Sequence, residues 1–343
     1  MAEPGGSPPR AIIFGVAGET LSEAERRLFA ASPPLGFILF ARNCREPDQI
    51  RALVGELRQA VGRDDAPILI DQEGGRVQRL RPPRWRAAPA MACFATRADT
   101  DETAAIEAAW LNARLIAAEL ESVGINVDCA PVLDIPQPGA DPIIGDRACG
   151  TTPEMAAMIG RAVCAGLLAG GVLPVIKHVP GHGRASVDSH AALPVVDASR
   201  EALERVDFAP FAALADMPWA MTAHVVYTAL DPQRPATTSA KVIDEVIRGR
   251  IGFDGVLVSD DICMRALSGA PADRARATLA AGCDVVLHCN GDIAEMQAVT
   301  AACPALTARA LERLARAGAR LHAPAPLEAA AATARLAELL AVA

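Results

Sequence analysis

Val172-Leu173-Pro174-Val175-Ile176-Lys177-His178-Val179-Pro180-Gly181-His182-Gly183-Arg184-Ala185-Ser186-Val187-Asp188-Ser189-His190 starts as a strand and ends as chemistry. The run Val172–Ile176 is apolar and of strand length. The segment behind it, 177–190, gathers one Lys, one Arg, one Asp and three of the chain's six histidines. So many titratable groups at one strand end are hard to explain as packing. Gly181 and Gly183 allow backbone conformations closed to other residues, so the segment after Pro180 is expected to bend sharply and to move. A loop of this kind, with histidines just past a strand, suits proton transfer.

Working outward, apolar runs of similar length recur at Ala11–Val16, Gly36–Phe40, Pro67–Ile70, Ile125–Ala130, Trp219–Ala223, Gly255–Val258 and Asp284–Leu287. Stretches with helical spacing separate them: Leu21–Ala31, Asp48–Val61, Glu102–Val123, Pro153–Ala169, Arg200–Leu214, Lys241–Arg250 and Ala272–Ala281. Thr152 before Pro153, Ser199 before Arg200-Glu201 and Ser239 before Ala240-Lys241 read as helix starts. Strands that alternate with helices pair in parallel, because a parallel neighbour needs a crossover. The pattern predicts an α/β fold, a (β/α)8 TIM-type barrel, in a single domain.

The connections are unequal. Helix-to-strand links are short, as at Val123-Gly124 and Gly170-Gly171, whereas strand-to-helix links after the third to seventh strands are long. In such a barrel the long loops crowd the C-terminal face, where active sites sit. Polar residues past the strand ends then form a ring of Asp71, Asp134, Lys177-His178, His224, Ser259-Asp260-Asp261 and Cys289-Asn290. After the eighth strand, Pro304–Arg320 reads as the closing helix and Leu327–Ala343 as an extra C-terminal helix. The expected division is a disordered tail over 1–10, a catalytic barrel over 11–320, and a C-terminal helical segment, 321–343, packed on the barrel.

Composition narrows the function. The chain has 343 residues, 51% of them hydrophobic, a formal net charge of −8 and no basic run, which argues against a nucleic-acid partner. Met1–Arg10 lacks the apolar core of a signal peptide, and no apolar run is long enough to span a membrane. A cytoplasmic protein without a membrane partner is expected, as a monomer. Nine cysteines, an odd number without CxxC spacing, read as reduced core thiols.

Three constellations could carry chemistry. Asp188 and His190 are two apart, so in an extended segment their side chains share one side; an Asp there fixes the imidazole tautomer and stabilises its cation. A loop making turn hydrogen bonds explains the same residues equally well. Ser259-Asp260-Asp261 puts carboxylates at a strand end, as nucleophile, metal ligand or acceptor to a sugar; two acids capping the next helix are the bland reading. Asp71-Gln72-Glu73-Gly74-Gly75-Arg76-Val77-Gln78-Arg79 sets an acid at the strand end, two glycines for a close turn and two arginines, a grip for a polyol or carboxylate, and is no phosphate loop. Arg147 could reach the same pocket, or form an ordinary salt bridge to Asp146 or another acid. His178, His182, His224 and His288 raise a metal-dependent hydrolase, but the first strand ends in Val16-Ala17-Gly18 without an HxH pair. No metal and no cofactor are expected.

The motifs Asp71–Arg79, Ala130-Pro131-Val132-Leu133-Asp134, Ile144-Gly145-Asp146-Arg147, Lys177–Gly183 with Asp188-Ser189-His190, and Ser259-Asp260-Asp261 occur together and in order. In this the sequence resembles the family-3 glycoside hydrolases, and within them the single-domain cytoplasmic β-N-acetylglucosaminidases of peptidoglycan recycling. The resemblance implies Asp260 as nucleophile, His190 as acid/base with Asp188 as its orienting partner, and Asp71, Arg79, Arg147, Lys177 and His178 as sugar-binding residues. Its implied substrate is a GlcNAc-containing muropeptide. Val179 stands where family members more often have Phe, a modest change in loop packing. The chemistry implied is retaining: Asp260 attacks the anomeric carbon while His190 protonates the leaving oxygen, and water then attacks with His190 as base. Histidine changes charge near neutral pH, so it can serve in both steps. A phosphorylase, a metal-dependent barrel hydrolase and a non-catalytic sugar-binding barrel remain as alternatives.

Overall fold

A computed structural model of the chain describes residues 8–341. Eight parallel strands close into a barrel in the order β1-β10-β9-β7-β5-β4-β3-β2: β1 (Arg10–Gly15), β2 (Pro34–Leu39), β3 (Ile68–Ile70), β4 (Val127–Asp128), β5 (Leu173–Val179), β7 (Trp219–Thr222), β9 (Val256–Asp261) and β10 (Val285–His288). A small pair, β6 (Val195–Val196) with β8 (Val226–Tyr227), sits in the loops outside it. Each expected apolar run contributes one barrel strand, so the (β/α)8 reading holds.

The strands are apolar on both faces because both are covered. Ile13, Ile38, Leu69, Val127, Val175, Met221, Val258 and Leu287 fill the interior, while Ile12, Phe37, Ile70, Ile176, Ala220, Leu257 and Val286 face the helices. Alternation along each strand thus separates two cores, one inside the barrel and one around it.

The largest difference from expectation lies after β10. Ile293–Ala302 is a helix, capped by the Asp292 carboxylate on the N–H groups of Ala294 and Glu295, and it completes the eighth strand–helix unit. Helix Ala308–Gly318 therefore has another job. Its Arg313 reaches Asp284 and Asp254, which precede β10 and β9, and Leu306 N bonds Pro9 O beside the start of β1. Leu306, Ala310 and Ala317 join the interior core, so this helix caps the strand-start mouth of the barrel. A further helix, Met91–Ala98, lies inside the long connection after β3.

Residues 1–7 of the expected tail lie outside the described residues, while Arg10 already opens β1 and donates to the carbonyls of Thr300 and Cys303. At the other end, helix Ala329–Leu340 buries Ala332, Leu336 and Leu339 in the outer core, against Glu102–Glu121. Helices expected over Arg200–Leu214 and Lys241–Arg250 form with wider turns: Phe208 N bonds Leu203 O and Ile251 N bonds Val246 O, each five residues back. All nine cysteines are free thiols. No helix among the described residues is long and apolar enough to cross a membrane.

Candidate active site

A cavity of about 270 Å³ opens at the carboxyl ends of the strands, just below the usual range for small-molecule sites. Asp71, Glu73, Arg79, Arg147, Lys177, His178, His190, Asp260 and Asp261 all line it. Of the expected site residues, only Asp188 does not; it stands behind His190.

The first wall is a chain of alternating charge. Arg79 Nη2 donates to Asp71 at 3.0 Å, Lys177 Nζ reaches the other Asp71 oxygen at 2.8 Å, and the same ammonium lies 2.6 Å from Glu73. Glu73 in turn takes both arms of Arg147, at 2.8 and 2.9 Å. Lys177 and Glu73 are each 2% exposed, so neither charge is tolerable alone. Burial acts to raise the carboxyls of Asp71 and Glu73, but the facing cations outweigh it and hold both below their ordinary range. Lys177 and Arg147 are correspondingly raised against the pull of burial. Arg147 thus has its salt bridge, but to Glu73; Asp146 pairs with Arg76 at 2.7 Å.

The local chain explains how this wall is built. Gly74 and Gly75 have φ of 95° and 55°, and a Cβ on Gly74 would stand 2.4 Å from Pro89 O, so the turn after Glu73 needs glycine. Gln72 Oε1 accepts from the N–H groups of Arg79 and Leu80 and fixes the return of that loop. The sequence reading passed over Glu73. Its signal was present: it lies two residues from Asp71, the spacing that puts Asp188 beside His190.

The floor is histidine and carboxylate. Asp134, fully buried after β4, lies 2.6 Å from His178 Nδ1 and takes the N–H of His182 at 2.6 Å. Burial would raise Asp134, but the His178 imidazole outweighs it and lowers the carboxyl. Asp260 is half-buried at the end of β9. Burial would raise it, yet the imidazoles of His178 and His224, the Asp261 N–H at 2.8 Å and His190 together hold it below the ordinary range. Asp260 is therefore an anion near neutral pH. Asp261 Oδ1 accepts from the N–H groups of Cys263 and Cys289 and ties β9 to β10. His224 bonds Thr237 and the carbonyl of Asp261, a support beneath the floor.

The third part is the rim. His190 Nδ1 and N–H both meet Asp188 Oδ1, each at 2.8 Å, and the His190 side chain is 66% exposed. Between them Ser189 turns inward, 3.0 Å from His182 Nε2. Burial and the neighbouring His178 push His182 down to about 4, so it is a neutral partner for that hydroxyl.

Two expectations about this segment need correction. Lys177, His178 and Val179 belong to β5 and do not follow it. Residues 181–183 are buried and bonded: Tyr227 Oη donates to Gly181 O at 2.6 Å, and a Cβ at Gly183 would meet Ile135 O at 2.0 Å. The two glycines serve close packing between loops, and the exposed stretch begins only at Ser186.

The model of the glycosyl hydrolase family 3 N-terminal domain matches residues 18–321. The chain belongs to glycosyl hydrolase family 3. It is a glycoside hydrolase. The β-hexosaminidase of Alkalilimnicola ehrlichii is 42% identical over 81% of this chain and 80% of its own length, and that of Bordetella avium is 39% identical over 82% and 81%. Among solved structures, NagZ from Neisseria gonorrhoeae in complex with N-trifluoroacetyl-D-glucosamine superposes with a TM-score of 0.87 at 32% identity, covering 98% of this chain and 99% of that one. The β-N-acetylhexosaminidase of Beutenbergia cavernae gives 0.75 at 30%, covering 97% and 96%. The family-3 barrel here carries its polar ring at the carboxyl ends of the strands, with Lys177-His178 and Ser259-Asp260-Asp261 inside β5 and β9 rather than past them.

Proposed function

We propose that this β-N-acetylhexosaminidase is a retaining exo-enzyme that removes terminal β-linked GlcNAc from GlcNAc-1,6-anhydroMurNAc-peptides in the cytoplasm. The observation that carries the reading is the pairing of an anionic Asp260 on the cavity floor with the Asp188–His190 pair on its rim. A nucleophile must be ionised and reachable; Asp260 is both. An acid/base must meet solvent and the leaving oxygen, and His190 lies exposed at the mouth.

The roles follow. Asp260 attacks the anomeric carbon and forms a glycosyl-enzyme while protonated His190 gives its proton to the departing oxygen. His190, now neutral, takes a proton from the water that releases the sugar, so configuration is retained. Asp188, bonded to Nδ1, leaves Nε2 as the proton-carrying atom that faces the substrate. Asp71, Arg79, Arg147, Lys177 and His178 hold the sugar hydroxyls, with charges already balanced before it arrives. The size of the cavity suits one terminal sugar, with the remainder of the substrate leaving past the rim.

Release of 4-nitrophenol from its N-acetyl-β-glucosaminide, with and without chelator and with and without phosphate, tests this. Chelator-insensitive turnover yielding free GlcNAc supports it. Formation of a sugar 1-phosphate would replace it with a phosphorylase, and failure to cleave the GlcNAc-anhydroMurNAc disaccharide would remove the muropeptide.

A further inference from the structure

Behind the pocket wall, at the carboxyl ends of β9 and β10, three side chains of metal-ligating type converge. Cys263 comes from the turn after β9, His288 ends β10, and Glu295 stands in the first turn of helix Ile293–Ala302; their donor atoms lie within 4.8 Å of one another. None of the three lines the substrate cavity. His288 is fully buried, edge-on to Phe14; its Nε2 lies 3.2 Å from Glu295, and its Nδ1 is buried with no hydrogen-bond partner. The Asn290 side chain donates to Glu295 at 2.5 Å.

A His–Glu hydrogen bond alone would account for two of these groups. It gives no role to a thiol within reach of both. One sulfur, one imidazole and one carboxylate from three separate elements are the donor types that zinc takes, with a fourth position open to water. The Asn290 amide on Glu295 resembles the outer shell that orients ligands in such sites.

We propose that Cys263, His288 and Glu295 form a binding site for a zinc-class divalent cation, and that filling it slows glycoside turnover through the Asp260–Asp261 turn. The connection is short. Cys263 N and Cys289 N donate to Asp261 Oδ1 at 2.9 and 3.1 Å, and Asp261 N holds Asp260 Oδ1 at 2.8 Å. A cation that draws Cys263 toward His288 displaces the first of these bonds and reaches the Asp260 carboxylate through the last. The sulfur donor favours thiophilic metals over magnesium or calcium, which take oxygen ligands.

The full chain in metal-free buffer, titrated with cobalt, tests the site. The expected result is a near-ultraviolet thiolate-to-cobalt band that zinc bleaches. Cys263→Ser abolishes the band and weakens zinc, measured against a chromophoric chelator, by about tenfold or more, while Glu295→Gln weakens zinc and keeps the band. Cys263→Ser turns over substrate at the wild-type rate without zinc and resists zinc inhibition. Absence of the band in wild type, or unchanged zinc affinity in Cys263→Ser, overturns the site. Equal zinc inhibition of both proteins overturns the link to Asp260 and assigns the inhibitory ion to the pocket histidines. The spectral experiment is independent of the glycosidase reading.

Discussion

Glu73→Gln is the substitution that most directly tests how the pocket wall is held. The carboxylate accepts two bonds from Arg147 and lies 2.6 Å from Lys177; Glu73 and Lys177 are 2% exposed and Arg147 9%. The amide keeps the shape, removes the charge, and turns one acceptor into a donor that faces cationic donors. Removing one partner of a buried pair costs about 3–5 kcal/mol. Lys177 retains Asp71 at 2.8 Å and Arg147 retains the carbonyl of Ile143 at 3.0 Å, so the lower end, about 3 kcal/mol, is expected. In thermal unfolding of a 343-residue chain that lowers Tm by roughly 4 °C. The Glu73 carboxyl is held below its ordinary range, so its stabilisation is complete above the unfolded value near ~4.3 and is lost as pH falls through the folded one. The gap between wild type and variant should therefore be full at pH 7 and close in strong acid. Glu73→Asp, which keeps the charge but shortens the arm, should fall between them. A Tm shift below about 2 °C at pH 7, or a gap that widens on acidification, refutes the buried charge chain as a stabilising unit.

Asp260→Asn should lose nearly all release of 4-nitrophenol, and because Asp260 is held below the ordinary carboxylate range, the acid limb of wild-type kcat/KM should fall below pH ~4; an acid limb at pH 6 would contradict that ionisation. His190→Ala should slow substrates with poor leaving groups by about 10²–10⁴-fold and a 2,4-dinitrophenyl glycoside far less in its first step; equal loss on both would count against His190 as the acid. Asp128, buried beneath Gln72, is pushed up to about 7 by burial, so the folded protein loses stability as pH rises from near 4 through 7. Asp128→Asn should remove that slope and gain on the order of 2 kcal/mol at pH 8, read as a denaturation midpoint; no gain there would mean the carboxyl is satisfied as an anion.

The barrel was legible because its strands need two apolar faces, and runs such as Val172–Ile176 announce that without any partner. Strand ends were less so. Lys177 and His178 are polar, and only the counter-charges of Asp71, Glu73 and Asp134 make them affordable inside β5; those come from other strands and cannot be seen locally. Helix Ile293–Ala302 is apolar nearly all round, so no stripe marks it, whereas Ala308–Gly318 is strongly striped and reads as the closing helix. Asp260, Asp188 and His190 stood out by residue type at strand-end positions. Glu73 did not, since its neighbour Asp71 already explained the motif. The wide turns at Leu203–Asp207 and Val242–Arg250 leave no trace in apolar spacing over so few residues.

The site is assembled from two halves of different character. Lys177 and Glu73 sit at 2% exposure inside a closed charge chain, while the His190 side chain stands 66% exposed on a segment whose neighbours Val187 and Leu193 also face solvent. For inhibitor chemistry the halves are unequal targets. A group that reaches the charge chain meets partners already fixed in place, so each contact returns its full affinity and ranks ligands by their sugar hydroxyls. A group that recruits His190 must first still a side chain that water otherwise surrounds, and part of the gain is spent on ordering it. Tight binders should therefore copy the sugar faithfully and tolerate wide variation beyond the anomeric position.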